Sequence, residues 1–227
     1  VVIEAFMSNK YYPIYLDLEF RRCVVIGGND EASRKVQGLI GSRAEITVIS
    51  PDLVKSLRSL VEGKTVTWLD RSYISGDLFG ATLVIVADSE NMEINKQVFS
   101  EANSRNVLVN VSDKTPMCSF IAPAIAEKGP LKIAVSTGGG SPALTRKVRD
   151  LVSNSGILDW GDLIPLLSKV RYELKIRGQN ASPDTWQKSI TIGLLKSLQN
   201  GHYEKAYDQL ISDLIWSNEA NSDGKVS

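Results

Sequence analysis

Between residues 23 and 111 the chain alternates short apolar runs with stretches whose apolar residues recur at helical spacing, and this rhythm constrains the fold more than any single motif. An apolar run at 15–18 and a second at 23–26 are divided by polar residues around Glu19, Arg21 and Arg22; the second reads as a buried parallel strand. Ala32, Val36, Leu39 and Ile40 then mark one helical face. A strand at 46–49 ends at Ser50, Pro51 and Asp52, and Leu53, Leu57, Leu60 and Val61 suggest the next helix. Strands at 65–69, 81–87 and 107–111 follow, with a helix at 94–102 between the last two. Such alternation implies an α/β fold with a parallel, doubly wound sheet. Sheets of this kind bind ligands beyond the carboxyl ends of their strands, so residues 27–31, 50–52, 88–90 and 110–114 should converge on one crevice.

The turn after the first strand is where that crevice acquires a chemistry. Gly27-Gly28-Asn29-Asp30-Glu31-Ala32 lies where dinucleotide-binding folds carry G-x-G-x-x-G/A. The pattern needs one small residue for the tight turn, one for close approach of pyrophosphate, and one for packing helix on strand. Gly27 and Ala32 fit the first and third places. Asn29 stands in the second, where its side chain must point away or meet the ligand. Asparagine tolerates a left-handed backbone better than most residues, so the turn remains accessible at some cost. The second strand ends in Ser50 rather than an acidic residue. Asp52 is therefore the nearest group to hydrogen-bond a ribose hydroxyl and disfavour a 2′-phosphate, and NAD is expected over NADP.

Past Lys114 the rhythm changes. A loop passes Pro116 and Cys118, a small-residue segment covers 121–126, and a strand at 131–135 leads into Ser136-Thr137-Gly138-Gly139-Gly140-Ser141-Pro142. Ser141 is placed as a helix N-cap with Pro142 at the first helical position. The glycines free backbone N–H groups to face an anion, although a flexible capped turn accounts for the same letters. From about Asn154 the pattern is helical, with Leu163, Leu166, Leu167, Val170 and Leu174 on one face. Two further faces follow, Trp186 with Ile190, Leu194, Leu195 and Leu198, then Tyr203 with Tyr207, Leu210, Ile211 and Leu214. A small helical domain is expected, broken at 178–183 and ending in a frayed polar tail over 218–227. The parts so defined are residues 1–113, 114–152 and 153–227.

Composition narrows the partners. Lys and Arg number 26 and Asp and Glu 26, which excludes a nucleic-acid binder relying on bulk charge; any anion must be met locally. Cys23 and Cys118 have neither metal-ligand spacing nor the density of a disulfide scaffold, and a reducing cytoplasm is the simplest reading. No apolar run approaches the roughly 18 residues of a membrane span, and residues 1–6 read as a soluble leader before a start at Met7. The one histidine, His202, suits a surface or cap role, and without a His/Cys/carboxylate cluster no resident metal is expected.

Five stretches taken in order carry a resemblance. Tyr12-Pro13-Ile14-Tyr15-Leu16-Asp17-Leu18, the Gly27-Gly28 turn with Arg34-Lys35, Asn110-Val111-Ser112-Asp113, Phe120-Ile121-Ala122-Pro123-Ala124-Ile125, and residues 134–144 around the glycine triplet resemble the precorrin-2 dehydrogenase family of siroheme biosynthesis. The matches span about residues 11–150. The resemblance implies oxidation of precorrin-2 to sirohydrochlorin with NAD as hydride acceptor. Some members also insert ferrous iron, and some carry a fused methyltransferase, which this chain is expected to lack at 227 residues. It also implies a Rossmann-like domain and a homodimer, with the segment after the fifth strand as an interlocked dimerisation element and the helical tail helping to cover the tetrapyrrole.

Carried over position by position, the resemblance makes Asp113 the catalytic carboxylate; at the mouth of the fifth strand it could remove a ring proton as hydride leaves. The matching cofactor positions are Gly27, Gly28, Asp30, Glu31 and Ala32, with Pro51 and Asp52, and the crevice adds Ser50 and Asp88. Asn29 departs from the family's three consecutive glycines. A polycarboxylate substrate requires basic groups and backbone donors. Lys114, Arg146, Lys147 and Arg149 are candidates, with Ser136, Thr137, Gly138 and Gly139 as a neutral cradle. Two other readings stay open: a bifunctional dehydrogenase and ferrochelatase, and a nucleotide- or tetrapyrrole-binding module without chemistry.

Overall fold

The computed structural model describes residues 10–222, with side chains to residue 215. The expected leader, the start at Met7 and the tail beyond residue 222 lie outside the described residues. The chain divides into two compact units, residues 1–122 with 138–140, and residues 123–137 with 141–227.

The first unit holds a parallel sheet of β1 (Arg22–Ile26), β2 (Glu45–Ile49), β3 (Thr67–Leu69), β4 (Leu83–Val86) and β5 (Leu108–Val111), in the order β3-β2-β1-β4-β5. Side chains alternate between faces along a strand, and here each face is buried. Cys23 and Val25 join Val48, Leu83 and Ile85 on one face, beneath Ala32, Val36 and Leu39 of α1 (Asp30–Ile40) and Leu57 of α2 (Lys55–Glu62). Val24 and Ile26 join Val84, Val86, Val109 and Val111 on the other, beneath Val98 and Ala102 of α3 (Met92–Ser104). Both layers are thus built from continuous apolar runs, and the expected strands and helices lie where the periodicity places them. The order reverses between β1 and β4. That reversal opens the crevice of an α/β sheet at the carboxyl ends of these two strands.

The edge strand β5 does not present a bare ladder. Ser119 runs beside it, its N–H donating to Val109 O at 2.8 Å while Val109 N–H donates to Ser119 Oγ at 2.8 Å. This pairing protects the edge and holds the segment after β5.

The second unit begins with an antiparallel hairpin, β6 (Ala124–Lys128) and β7 (Leu131–Val135), joined through Gly129 and Pro130. The small-residue segment expected at 121–126 therefore passes into a strand at Ala124. After α4 (Pro142–Ser153) and a 3-10 segment (Ile157–Leu163) come α5 (Ile164–Ile176), α6 (Pro183–Ser189), α7 (Ile192–Gln199) and α8 (Tyr203–Ser222). Leu163, Leu166, Val170 and Leu174 pack with Leu194, Leu195, Leu210 and Leu214 as the helical core. Residues 218–222, expected to fray, continue α8. Gly161 lets the 3-10 segment close on the hairpin: a Cβ there would lie 2.9 Å from Leu131 Cβ and from Lys128 O.

Candidate dinucleotide-binding site at the sheet reversal

The turn from β1 into α1 is glycine for two separate reasons. Gly27 has φ +116, which side chains rarely adopt, and a Cβ on it would stand 2.9 Å from Asp88 Cβ and Asp88 N. Gly28 faces the opposite neighbour: an added Cβ would lie 1.7 Å from Asp52 O and 2.8 Å from Ser50 Oγ. Val54 N–H donates to Gly28 O at 2.8 Å and fixes that approach. The turn is thus wedged between the loops after β2 and β4. Gly27, Gly28, Ser50, Asp52 and Asp88 meet as the strand order requires.

Asn29 does not use a left-handed backbone. Its φ is −84 and ψ −177, extended, and its Oδ1 accepts the Ala32 N–H at 2.9 Å, so it is the N-cap of α1. The conformational cost expected at this residue is not incurred, and its side chain points into the helix terminus. Asp30 and Glu31, as the first two helical residues, keep backbone N–H groups without intrahelical acceptors, the donors that helix N-termini offer to phosphate. The Glu31 carboxylate is engaged along the helix with Arg34, and with Lys35 Nζ at 3.1 Å. Arg34 above all, by hydrogen bonding, holds the Glu31 carboxyl below its ordinary range. That pairing reduces the negative charge that two acidic residues would otherwise present to an anion. Buried Ala32 seats the helix on the strand. A cradle that a Cβ would fill, with two free donors at a helix start, fits a dinucleotide pyrophosphate.

The loop after β2 carries groups that motif reading missed. Asp52 is exposed and paired with Arg58 of α2, Nη2 to Oδ1 at 2.7 Å. Arg58 Nε donates to Leu53 O at 2.9 Å, and its guanidinium lies over the Trp68 ring, 5.6 Å from the centroid. Trp68 is fixed in turn by its indole N–H on Ser50 O at 2.9 Å. Pro51 is exposed at the same corner.

Asp113 follows β5, and the register Val86↔Val111 sets it one strand along from Asp88. Its carboxylate is exposed, and its backbone is left-handed at φ +58, which aspartate tolerates better than most residues. The turn closes with Lys114 N–H on Val111 O at 3.1 Å. Cys118 pins it: Val111 N–H donates to Sγ at 3.3 Å, and Sγ lies 3.3 Å from Val111 O and 3.4 Å from Lys114 O. Asn110, first residue of the Asn-Val-x-Asp run, is buried and donates to Phe120 O at 3.0 Å. Sequence spacing gave no sign of these braces, because they join residues across a loop.

In the second unit Ser141 is the N-cap of α4, accepting Leu144 N–H at 3.2 Å, with Pro142 at the first turn as expected. Thr137 Oγ1 accepts Ser141 N–H at 2.9 Å and lies 3.1 Å from Thr145 Oγ1, so its hydroxyl closes the glycine loop. Gly138 and Gly139 have φ +64 and +90 with open space where a Cβ would stand, so backbone conformation, not crowding, requires glycine there. Ser136 and Arg146 are exposed. Among the described residues, no group of three or more His, Cys, Asp or Glu side chains is arranged to hold a metal, and no helix is long and apolar enough to cross a membrane.

Comparison with known proteins places this geometry. Residues 14–124 match the family described as "Putative NAD(P)-binding" and residues 128–155 the family "Sirohaem biosynthesis protein central". Siroheme synthase 1 of Serratia proteamaculans is 34% identical over 90% of this chain and 43% of its own length. The siroheme synthase of Methylobacillus flagellatus is 39% identical over 73% of this chain and 35% of its own. The chain therefore spans under half the length of these curated relatives. A solved structure titled "SirC, precorrin-2 dehydrogenase" superposes with a TM-score of 0.65 at 22% identity, covering 92% of this chain and all of that one, a likeness of fold. By sequence the chain thus joins a match to the NAD(P)-binding family with a match to the sirohaem-biosynthesis central family, and it is similar to siroheme synthases over both regions.

Proposed function

We propose that this protein oxidises precorrin-2 to sirohydrochlorin, with NAD as the acceptor and Asp113 as the general base. The observation that carries the reading is the position of Asp113, an exposed carboxylate on a braced turn one strand from the Asp88 that touches Gly27. The N–H groups of Asp30 and Glu31, with Gly27 and Gly28, would hold the pyrophosphate, and Asp52 the adenosine ribose. When bound, the cofactor supplies a two-electron hydride acceptor. Removing hydride from a ring carbon leaves a proton to be lost, and Asp113 takes it at a carboxylate oxygen. The braces from Cys118 and Asn110 hold the backbone of the turn that carries Asp113, which matters because small displacements of a base are costly to rate.

A polycarboxylate tetrapyrrole needs cationic and N–H partners, for which Lys114, Arg146, Ser136, Gly138 and Gly139 are our candidates, with Thr137 shaping their loop. A homodimer belongs to the same proposal. Helix α4 has no buried residue in the single chain, and Leu144 and Leu151 on it are 52% and 57% exposed, an apolar stripe suited to a second copy.

Asp113→Asn tests the assignment, because asparagine also accepts a positive φ and alters charge alone. The expected result is a fall in oxidation rate of about 10²–10⁴-fold with NAD binding unchanged. An unchanged rate contradicts the role. Sirohydrochlorin supplied with ferrous iron to the same two proteins asks whether the base also serves metal insertion.

A further inference from the structure

The ribose corner of the site carries a feature that neither the motif nor the family resemblance supplies. An acidic residue after β2 normally selects NAD by accepting the ribose hydroxyls and repelling a 2′-phosphate. Here that carboxylate, Asp52, is not alone: Arg58 lies against it at 2.7 Å. The arginine is held there by three contacts, the Asp52 carboxylate, the Leu53 carbonyl at 2.9 Å and the Trp68 ring beneath it. Trp68 is itself tied to Ser50 O at 2.9 Å. Both charged groups remain open to solvent, their side chains 48% and 91% exposed for Arg58 and Asp52, so a ligand can reach either.

We infer that Arg58 is a cofactor-specificity residue, which offsets the repulsion of Asp52 and keeps a 2′-phosphorylated cofactor within the range of the site. This inference rests on the nicotinamide-cofactor reading above. A guanidinium presents a planar fork of N–H donors, of which Nε and one Nη are used here, and a phosphate can take the remainder. The Asp52 carboxylate accepts ribose hydroxyls when the phosphate is absent. The pair therefore offers both charges at one position, and the balance between them sets the ratio of the two affinities.

Titration of the purified protein and its variants with NAD and with NADP, read as dissociation constants by calorimetry, tests this. Arg58→Gln leaves Asp52 unopposed and should weaken NADP relative to NAD by about tenfold, a change typical of losing one charge-assisted hydrogen bond. Asp52→Asn leaves Arg58 unopposed and should move the ratio the other way by a similar factor. Opposed shifts cannot come from general damage, which would weaken both cofactors together. A ratio unmoved by either substitution overturns the inference while leaving the dehydrogenase reading intact. Failure of the wild type to bind either cofactor overturns the reading beneath it.

Discussion

Asn29 shows how one residue changes meaning once its backbone is known. At the second glycine position it reads as a defect in a phosphate turn, yet its extended φ and its bond to Ala32 N–H make it a helix cap. Asn29→Ala should lower stability by about 1 kcal/mol through loss of that cap, and Asn29→Gly by only a few tenths. The glycine variant also releases the Ala32 N–H toward the pyrophosphate and should bind NAD more tightly. Thermal unfolding and a cofactor titration check the two halves. Asp113 carries a similar lesson, since its left-handed backbone makes alanine a confounded replacement and asparagine a clean one.

At the scale of elements, helix α3 anchors the segment between β3 and β4 through one buried carboxylate. Glu101 accepts from Tyr73, from Gly76 N–H at 2.9 Å, from Leu78 N–H at 3.3 Å and from Arg105 Nε at 2.7 Å. Burial alone would raise its pKa, but these donors outweigh it and hold the carboxyl below its ordinary value; Arg71, by hydrogen bonding, does the same for Asp77. A depressed folded pKa means that the unfolded chain binds more protons in acid. The stabilisation is therefore complete above the unfolded carboxyl range, near 4, and is lost as pH falls through the folded values. Glu101→Gln should cost about 2 kcal/mol at neutral pH and flatten the acid limb of a stability profile measured by urea unfolding. The sheet and its helices were legible in sequence because apolar spacing alone decides which face is buried. Strand β6 was not, since the alternation in Ala-Ile-Ala-Glu-Lys is short and weak and pairing with β7 makes it a strand. The glycine turn and Asp113 were legible as motif letters. Arg58, Trp68 and Cys118 were not, because they lie outside the motifs and their contacts reach 6 to 18 residues along the chain.

For the whole molecule, each of the two units holds part of the proposed machinery. The first holds the sheet reversal with its glycine turn, the braced Asp113 and the glycines at 138–140, and the second holds Ser141 and helix α4, which buries none of its own residues in the single chain. If that helix pairs with a second copy, Leu151→Glu should leave a monomer at concentrations where the wild type is dimeric, as read by light scattering on a sizing column. A monomeric wild type would remove the dimer from the proposal. The central claim is the chemistry at Asp113. Precorrin-2 mixed anaerobically with the wild-type protein should change its absorbance to that of sirohydrochlorin only when the nicotinamide cofactor is present. Precorrin-2 that persists unchanged in the presence of folded, cofactor-bound protein would contradict it.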